Sequence, residues 1–524
     1  MINENFNHQK RLVLIFLVAL FLLSFLYRLY GLSKNNPPFW VDEFSSANQG
    51  KIFLKYGLSA FTNPHIYIEH YNITTHLLIA LSYKLFGVNE FAARFPMVII
   101  GSLVPVIVFV LARYLTNVPT AVSASLLAAF SYFEITWSRQ ARGYIIVQFL
   151  ILMSFFLYLK LIEINKPNLI LSFAFLLTIF LGTITHPLYY IFLICIFFHF
   201  LFMSHKRLID LLKKPWFYLI IFTLIFTVYK IGFITAFIRI LTSKTFLTNN
   251  FWYYHPFLWR EYGLITFLAI LGFLFIIFKK GKVFLPILIY LVLHLIFITS
   301  IFKPYVSRYV LPIFPFLLIG ASYTIWQLLQ NLPSRNDRIK MVVLILLTLF
   351  IIANGHKFVN KPKKYYSLNH DFREIANINY HQIYEVIKNK GELEKGQTVV
   401  IDTWWDRAGW YLNEDFKNVI AFRWFNEEGY VNGLPKKTTF IINEKGEKIL
   451  KGTALRLVLE VKDLKKYMNQ YQIGFLFIDD SSLPQDIKQF AEKNLKKELY
   501  LDHYASDDNP YSIWPATLYS WGIN

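Results

Sequence analysis

Two adjacent carboxylates, Asp42 and Glu43, stand in Trp40-Val41-Asp42-Glu43, a short way past an apolar run from Leu12 to Tyr27. A positioned carboxylate takes a proton from a hydroxyl, and near a membrane it is costly enough that it usually serves a function when it faces a cavity. Adjacent helical residues point about 100° apart, so the two acids cannot do the same job. One could act as a base while the other caps a helix or holds a cation. The same pair also suits a solvated first helical turn, where acids complement the helix dipole.

Three further clusters carry chemistry. Glu69-His70, with Asn72 and His76 close by, can bind a divalent cation or share a proton, or can simply open a helix at the level of the headgroups. Ser138-Arg139-Gln140-Ala141-Arg142-Gly143-Tyr144 sets Arg139 and Arg142 beside Tyr144. The planar donor fork of arginine suits a phosphate, although snorkelling arginines and an aromatic-belt tyrosine would read alike. Lys303-Pro304-Tyr305-Val306-Ser307-Arg308-Tyr309, followed by Pro312 and Pro315, poses the same choice for Arg308 and Tyr309. His186, in Thr185-His186-Pro187, is either a hydrogen-bonded interface residue or a ligand. Later in the chain, Trp404-Trp405-Asp406-Arg407 and Asp479-Asp480 stand out. The tryptophans could stack on a sugar face or sit in a core.

The elements that must position these residues are membrane helices. Of 524 residues, 55% are hydrophobic, and the mean hydropathy is +0.41. A spanning helix needs about 20 mostly apolar residues. The first run lies behind Lys10 and Arg11 and lacks an A-x-A-like cleavage site, so it reads as an uncleaved span. Further apolar segments fall near 93–112, 119–137, 143–159, 167–185, 188–204, 216–236, 262–278, 283–302, 309–327 and 341–354, which predicts about eleven spans.

The net charge of +20 fits this topology and not a nucleic-acid partner. With the N-terminus inside, the short inner loops hold fifteen Lys and Arg in roughly fifty residues, and the outer loops hold twelve in roughly a hundred. That density contrast puts the N-terminus in the cytoplasm and, for an odd number of spans, the C-terminal region outside. Cys195 is the only cysteine and lies in a span, which excludes an intramolecular disulfide and a thiolate metal cluster.

Three regions follow. Residues 1–354 are a transmembrane domain whose long first outer loop, 32–92, includes Tyr71 to Phe86. Apolar residues there recur at helical spacing with polar interruptions, as in a helix lying on the membrane. Residues 355–364 are a basic linker. Residues 365–524 turn soluble in composition and alternate helix signals (Asp371 to Asn389, Pro484 to Lys496) with strand signals (Thr398 to Ile401, Thr438 to Ile442, Ile473 to Ile478). The expected fold is a polytopic α-helical membrane protein with an outer α/β domain. No GxGxxG, P-loop or internal repeat is present.

Taken in order, these motifs resemble the GT-C glycosyltransferases, in particular the branch of protein O-mannosyltransferases and lipid A aminoarabinose transferases. The resemblance runs over residues 10–330. It rests on the acidic pair after the first span, the long outer loop, Lys84-Leu85-Phe86-Gly87 with Ala92-Ala93-Arg94-Phe95-Pro96, Ala141-Arg142-Gly143-Tyr144, Thr185-His186, and Arg308-Tyr309 before a proline-containing span. The chain departs from the branch at Glu69-His70-Tyr71-Asn72, where a His-Pro-Pro or Glu-Lys-Pro is common.

The resemblance implies a polyprenyl- or dolichyl-phosphate-linked sugar donor handled on the outer face. Asp42 would be the base on an acceptor hydroxyl of a protein, lipid or glycan, with inversion at the anomeric carbon, and Glu43 a supporting acid. Arg142 and Arg308, with Tyr144, Tyr309 and Arg139, would hold the donor phosphate. Glu69, His70 and His186 would support the site or a divalent cation, the one cofactor in view. Two other classes compete. A transporter or flippase of lipid-linked glycans would show paired repeats and broken midplane helices. A scaffold would rest on the outer domain alone.

Overall fold

The computed structural model describes residues 2–32, 39, 41–63, 66, 68–69, 71–164, 168–203, 218, 222, 247–302, 305–333, 336–354, 380–391, 396–402, 405–412, 418–422, 430–431, 434–435, 440–450, 455–479, 485–501 and 516–523. Trp40, His70, Lys303, Pro304, Trp404 and Asp480 lie outside the described residues, as do the expected span 216–236 and the linker 355–364. The chain divides into two compact units. One holds Met1–Lys34 and Gln49–Lys361, and the other holds Asn35–Asn48 and Pro362–Asn524.

The first unit is helical. Its elements are α1 (Ile2–Leu29), the second half of α2 (Val41–Tyr56), α3 (Ile73–Phe86), α4 (Glu90–Leu115), α5 (Val118–Phe130), α6 (Tyr132–Ser138), α7 (Tyr144–Glu163), α8 (Leu169–Thr185), α9 (Tyr189–Met203), α10 (Phe251–Pro256), α11 (Tyr262–Ser300), α12 (Phe314–Gln330) and α13 (Asp337–Asn354). Among the described residues six segments are long and apolar enough to cross a membrane, and α3, α5, α8 and α9 are shorter apolar helices. Asparagines start several of them. The side chains of Asn89, Asn117 and Asn168 accept from the backbone N–H groups of Ala92, Thr120 and Leu171, satisfying donors that a helix start leaves open.

Three expected spans differ in form. The run 119–137 is broken at Ser131 into α5 and α6. The runs 262–278 and 283–302 share one uninterrupted helical stretch, α11, yet the chain reverses within it. Phe273 and Phe284 have ring centroids 5.5 Å apart, whereas eleven residues of straight helix advance about 16 Å. Leu268 O accepts from Thr324 Oγ1 at 2.6 Å and Lys279 Nζ donates to Gln327 at 2.7 Å, so the first arm runs alongside α12 in the same direction. Tyr290 meets Phe316 and His294 Nε2 lies 2.6 Å from Tyr309 O, so the second arm runs back. The reversal falls at the Lys279–Lys282 cluster, where the charge pattern puts a loop. The first arm packs so closely on α12 that Gly272 meets the backbone of Gly320, leaving no room for a Cβ at either position.

Polar groups cross-link the buried helices. The Arg28 guanidinium, fully buried on α1, donates to Ser24 Oγ (2.6 Å) and to Ala129 O at the end of α5 (2.9 Å). Gln148 Nε2 on α7 donates to Glu134 Oε1 and to Leu311 O, both at 2.7 Å. Within hydrocarbon such groups need internal partners, so these bonds define which helix faces meet.

The second unit is α/β. Its six-stranded sheet has the order β7-β2-β1-β8-β10-β9, formed by β1 (Thr398–Asp402), β2 (Val419–Phe422), β7 (Leu457–Val458), β8 (Ile473–Ile478), β9 (Lys496–Leu501) and β10 (Ala516–Trp521). The strands β7, β2, β1 and β8 are parallel, and β10 is antiparallel to both β8 and β9. Two short hairpins pair β3 (Tyr430–Val431) with β4 (Leu434–Pro435) and β5 (Phe440–Ile442) with β6 (Lys448–Leu450). The helices are α14 (Tyr380–Lys390), α15 (Trp405–Tyr411), α16 (Val461–Gln470) and α17 (Gln485–Asn494). Strands β1 and β8 are buried along nearly their whole length, as parallel strands covered on both faces are. The helix expected from Pro484 to Lys496 ends at Asn494, and Lys496 opens β9.

Candidate active site

Most of the basic and aromatic candidates converge within the helical unit. The turn before α7 is tight, with Arg142 N–H donating to Gln140 O at 2.7 Å. Gly143 follows because it has no side chain. A Cβ there would lie 2.7 Å from Asn72 Oδ1 and 2.8 Å from Thr75 Oγ1. Asn72 precedes α3 in the left-handed region at φ 65°, and its N–H donates to Thr185 O at 3.1 Å. The turn carrying Arg142, the start of α3 and the end of α8 therefore meet at one point.

Tyr144, the first residue of α7, links this point to the second basic segment. Arg308 Nε donates to Tyr144 Oη at 3.0 Å, and the guanidinium lies over the rings of Tyr144 (5.3 Å) and Trp137 (5.8 Å). Tyr144 also meets His186 at 4.7 Å and Tyr309 at 6.4 Å. Arg308 and Tyr309 lie in a 3-10 turn, Ser307–Ile313, which Gln148 holds at Leu311 and His294 holds at Tyr309. Pro312 lies in this turn and Pro315 in the first turn of α12, where a missing N–H is tolerated.

The electrostatics favour an anion here. Glu69, Arg142, His186 and Arg308 are all buried. Burial opposes ionisation of Glu69, but His76, with Nε2 3.5 Å from Glu69 Oε2, and the charge of Arg142 more than offset it and hold the carboxyl below its ordinary range. Burial, reinforced by Arg142 and Arg308, pushes His186 down to about 3, so its imidazole is neutral near pH 7. His186 Nδ1 accepts from Leu188 N–H at 3.2 Å. Among the described residues the cluster gathers the Arg142 and Arg308 guanidinium groups, the Glu69 carboxylate and a neutral imidazole.

Other candidates lie elsewhere. Arg139 has different neighbours, namely Arg94, Tyr132 and Tyr27. Asp42 and Glu43 occupy the first turn of α2, in the part of that helix grouped with the α/β unit, where Glu43 is fully buried and Asp42 partly so. No group of three or more His, Cys, Asp or Glu side chains gathers among the described residues, Glu69 faces His76 and Arg142, and the free-base nitrogen of His186 is taken by Leu188. His76, which the sequence groups with Glu69, is its ion-pair partner in the structure. Trp137 under Arg308 was not singled out, because it reads as ordinary span.

Residues 73–231 match the family model described as dolichyl-phosphate-mannose-protein mannosyltransferase. No curated protein matches the chain significantly by sequence. Among solved structures, ArnT from Cupriavidus metallidurans in the apo state is similar with a TM-score of 0.54 at 12% identity, covering 97% of each chain. The same protein bound to undecaprenyl phosphate gives 0.56 at 11%, again over 97% of each chain. Archaeal oligosaccharyltransferase AglB from Archaeoglobus fulgidus, in complex with an inhibitory peptide and a dolichol-phosphate, gives 0.52 at 14%, over 97% of this chain and 74% of that one. A likeness spanning nearly the whole chain in both comparisons, joined to the family match over 73–231, means that this protein has the GT-C fold and resembles the dolichyl-phosphate-mannose-protein mannosyltransferase family.

Proposed function

We propose that the chain is a membrane glycosyltransferase. It moves a sugar from a polyprenyl- or dolichyl-phosphate donor to an acceptor hydroxyl of a protein, lipid or glycan on the outer face of the cell membrane, with inversion. The carrying observation is the buried cluster in which Tyr144 joins Arg308 to the Arg142 turn beside a neutral His186. Such a cluster suits a phosphate that is buried at one end of a lipid. The undecaprenyl phosphate bound by ArnT and the dolichol-phosphate bound by AglB support that choice of donor.

In this reading Asp42 takes the proton of the acceptor hydroxyl. The acceptor oxygen bonds to the anomeric carbon from the face opposite the phosphate, and the bond from that carbon to the phosphate oxygen breaks with its electron pair. An alcohol is a weak nucleophile, so a positioned carboxylate matters at this step. The leaving phosphate is already ionised near neutral pH, so it needs cations and not a proton. Arg142 and Arg308 supply them, strengthening as charge builds. Tyr144 and Tyr309 orient Arg308, Glu69 holds Arg142, and Glu43 supports Asp42. The charge asymmetry of the loops supports a cytoplasmic N-terminus and an extracytoplasmic C-terminal unit.

The test uses purified full-length protein in nanodiscs with polyprenyl-phosphate-linked sugars, reading the release of polyprenyl phosphate by mass spectrometry. The wild type turns over at least one such donor, and Asp42→Asn lowers kcat by at least about 10²-fold, the usual share of a general base. Unchanged turnover in Asp42→Asn removes Asp42 from the mechanism.

A further inference from the structure

In the α/β unit the parallel strands run outward from β1 in two directions, to β2 and β7 on one side and to β8 on the other. The chain order therefore reverses between β1 and β8. In doubly wound sheets the crevice outside the carboxyl ends of such a strand pair is where ligands bind. Asp402 ends β1 and Asp479 follows β8, so both acids stand at this crevice.

The crevice is filled by the protein itself. Arg407, fully buried on α15, donates through Nη2 to Asp402 Oδ1 at 2.6 Å and through Nη1 to Asp479 Oδ2. Tyr384 Oη donates to Asp402. The guanidinium lies over the rings of Tyr380 (4.7 Å) and Phe477 (4.6 Å). Tyr380, Tyr384, Trp410 and Tyr411 present an aromatic surface above it, with Tyr384 stacked on Tyr411 at 4.9 Å. Phe44 sits on this surface, 5.8 Å from Tyr380 and 5.6 Å from Tyr411. Phe39 lies 5.5 Å from Phe44 and 5.4 Å from Trp410. Phe39 and Phe44 are both completely buried, and Asp42 and Glu43 lie between them in the chain.

We infer that the α/β unit is a seat for the segment bearing the acidic pair. Its switch-point crevice holds Phe39 and Phe44 in place of a small ligand, and Phe44, Tyr380 and Arg407 are positioning residues for Asp42. This rests on the transferase reading for its catalytic consequence. The seat itself rests only on the packing. Arg407 is the keystone because its two carboxylate partners and two ring partners leave it one orientation, and the aromatic floor under Phe44 is built on that orientation. Two large rings flanking a carboxylate restrict the backbone on both sides of it, which is how a base is held at a reacting hydroxyl.

Hydrogen–deuterium exchange on the full-length protein tests the seat without any substrate. Phe44→Ala should speed exchange over 39–48 by about tenfold or more while leaving β8 amides at wild-type rates, and Tyr380→Ala should do the same. Phe44→Leu should restore most of the protection. In turnover, Phe44→Ala should lower kcat on the order of 10²-fold and leave KM for the donor unchanged, because the donor phosphate is held by other residues. If exchange over 39–48 is unchanged in both Phe44→Ala and Tyr380→Ala, there is no seat. If exchange rises while kcat stays at the wild-type value, the seat does not position the base. A wild type that turns over no polyprenyl-phosphate donor but shows the exchange pattern overturns the transferase reading and leaves the seat standing.

Discussion

Replacing Gly143 by alanine tests the convergence point directly. The backbone at 143 has φ −73°, which alanine adopts freely, so the whole effect is steric. The added methyl would stand 2.7 Å from Asn72 Oδ1, 2.8 Å from Thr75 Oγ1 and 3.4 Å from Thr185 Cγ2. Ordinary carbon–oxygen contacts are longer, so something must give by about 0.5 Å. Asn72 is poorly placed to yield. It is buried, its backbone is left-handed, and its N–H is bonded to Thr185. Overpacking of this kind typically costs 1–3 kcal/mol, and about 2 kcal/mol is expected here. Thermal unfolding of full-length protein in detergent would show it as a lowered Tm. Because Arg142 and Tyr144 flank the methyl, affinity for undecaprenyl phosphate should fall at least about tenfold. Asn72→Gly removes one clash and takes φ 65° without strain. The double variant should therefore recover about 1 kcal/mol relative to the sum of the singles, a coupling that a double-mutant cycle reads. Wild-type stability in Gly143→Ala, or strict additivity with Asn72→Gly, would refute the packing argument.

Two further outcomes follow. Arg308→Lys keeps the charge but loses the Nε donor to Tyr144, a charged hydrogen bond worth about 1.5–3 kcal/mol. Isothermal titration with polyprenyl phosphate should show affinity reduced about tenfold or more, and an unchanged affinity would remove the bridge from the binding site. His186 binds a proton near its ordinary 6.5 when unfolded but only near 3 when folded. Between those values the unfolded state holds more protons, so this residue's contribution to stability rises with pH from about 3 to 6.5 and is constant above. His186→Gln should flatten the pH dependence of Tm between 6.5 and 5, and a slope equal to that of the wild type would show that His186 is not the titrating group.

Several elements were legible because their signals are local. An apolar run of the right length names a span wherever it lands, so α4, α7, α8, α9 and α13 appear within a few residues of their expected ends, whereas α1 begins ten residues before the run that starts at Leu12. The helix α3 and the strands Thr398–Asp402 and Ile473–Ile478 were equally plain from period and composition. Arg142, Tyr144, Arg308 and His186 were legible as polar residues at span ends. Arg139, paired with Arg142 by sequence, has Arg94 and Tyr132 as charge neighbours instead, because it caps the end of α6 while Arg142 lies beyond it in the turn before α7.

Composition and pattern are enough to make the protein a membrane helix bundle with an α/β appendage, to place its charges and to name the residues that could do chemistry. Packing in three dimensions is what joins Tyr144 to Arg308 across 164 residues, requires Gly143 beside Asn72 and Thr75, folds α11 back on itself, and puts Phe39 and Phe44 with the α/β unit. The reason is physical. Lipid is as apolar as the interior of a bundle, so a hydrophobic pattern marks a helix as spanning without saying which face meets which neighbour. That information resides in small residues and buried polar groups, whose partners are distant in the chain and are specified by packing.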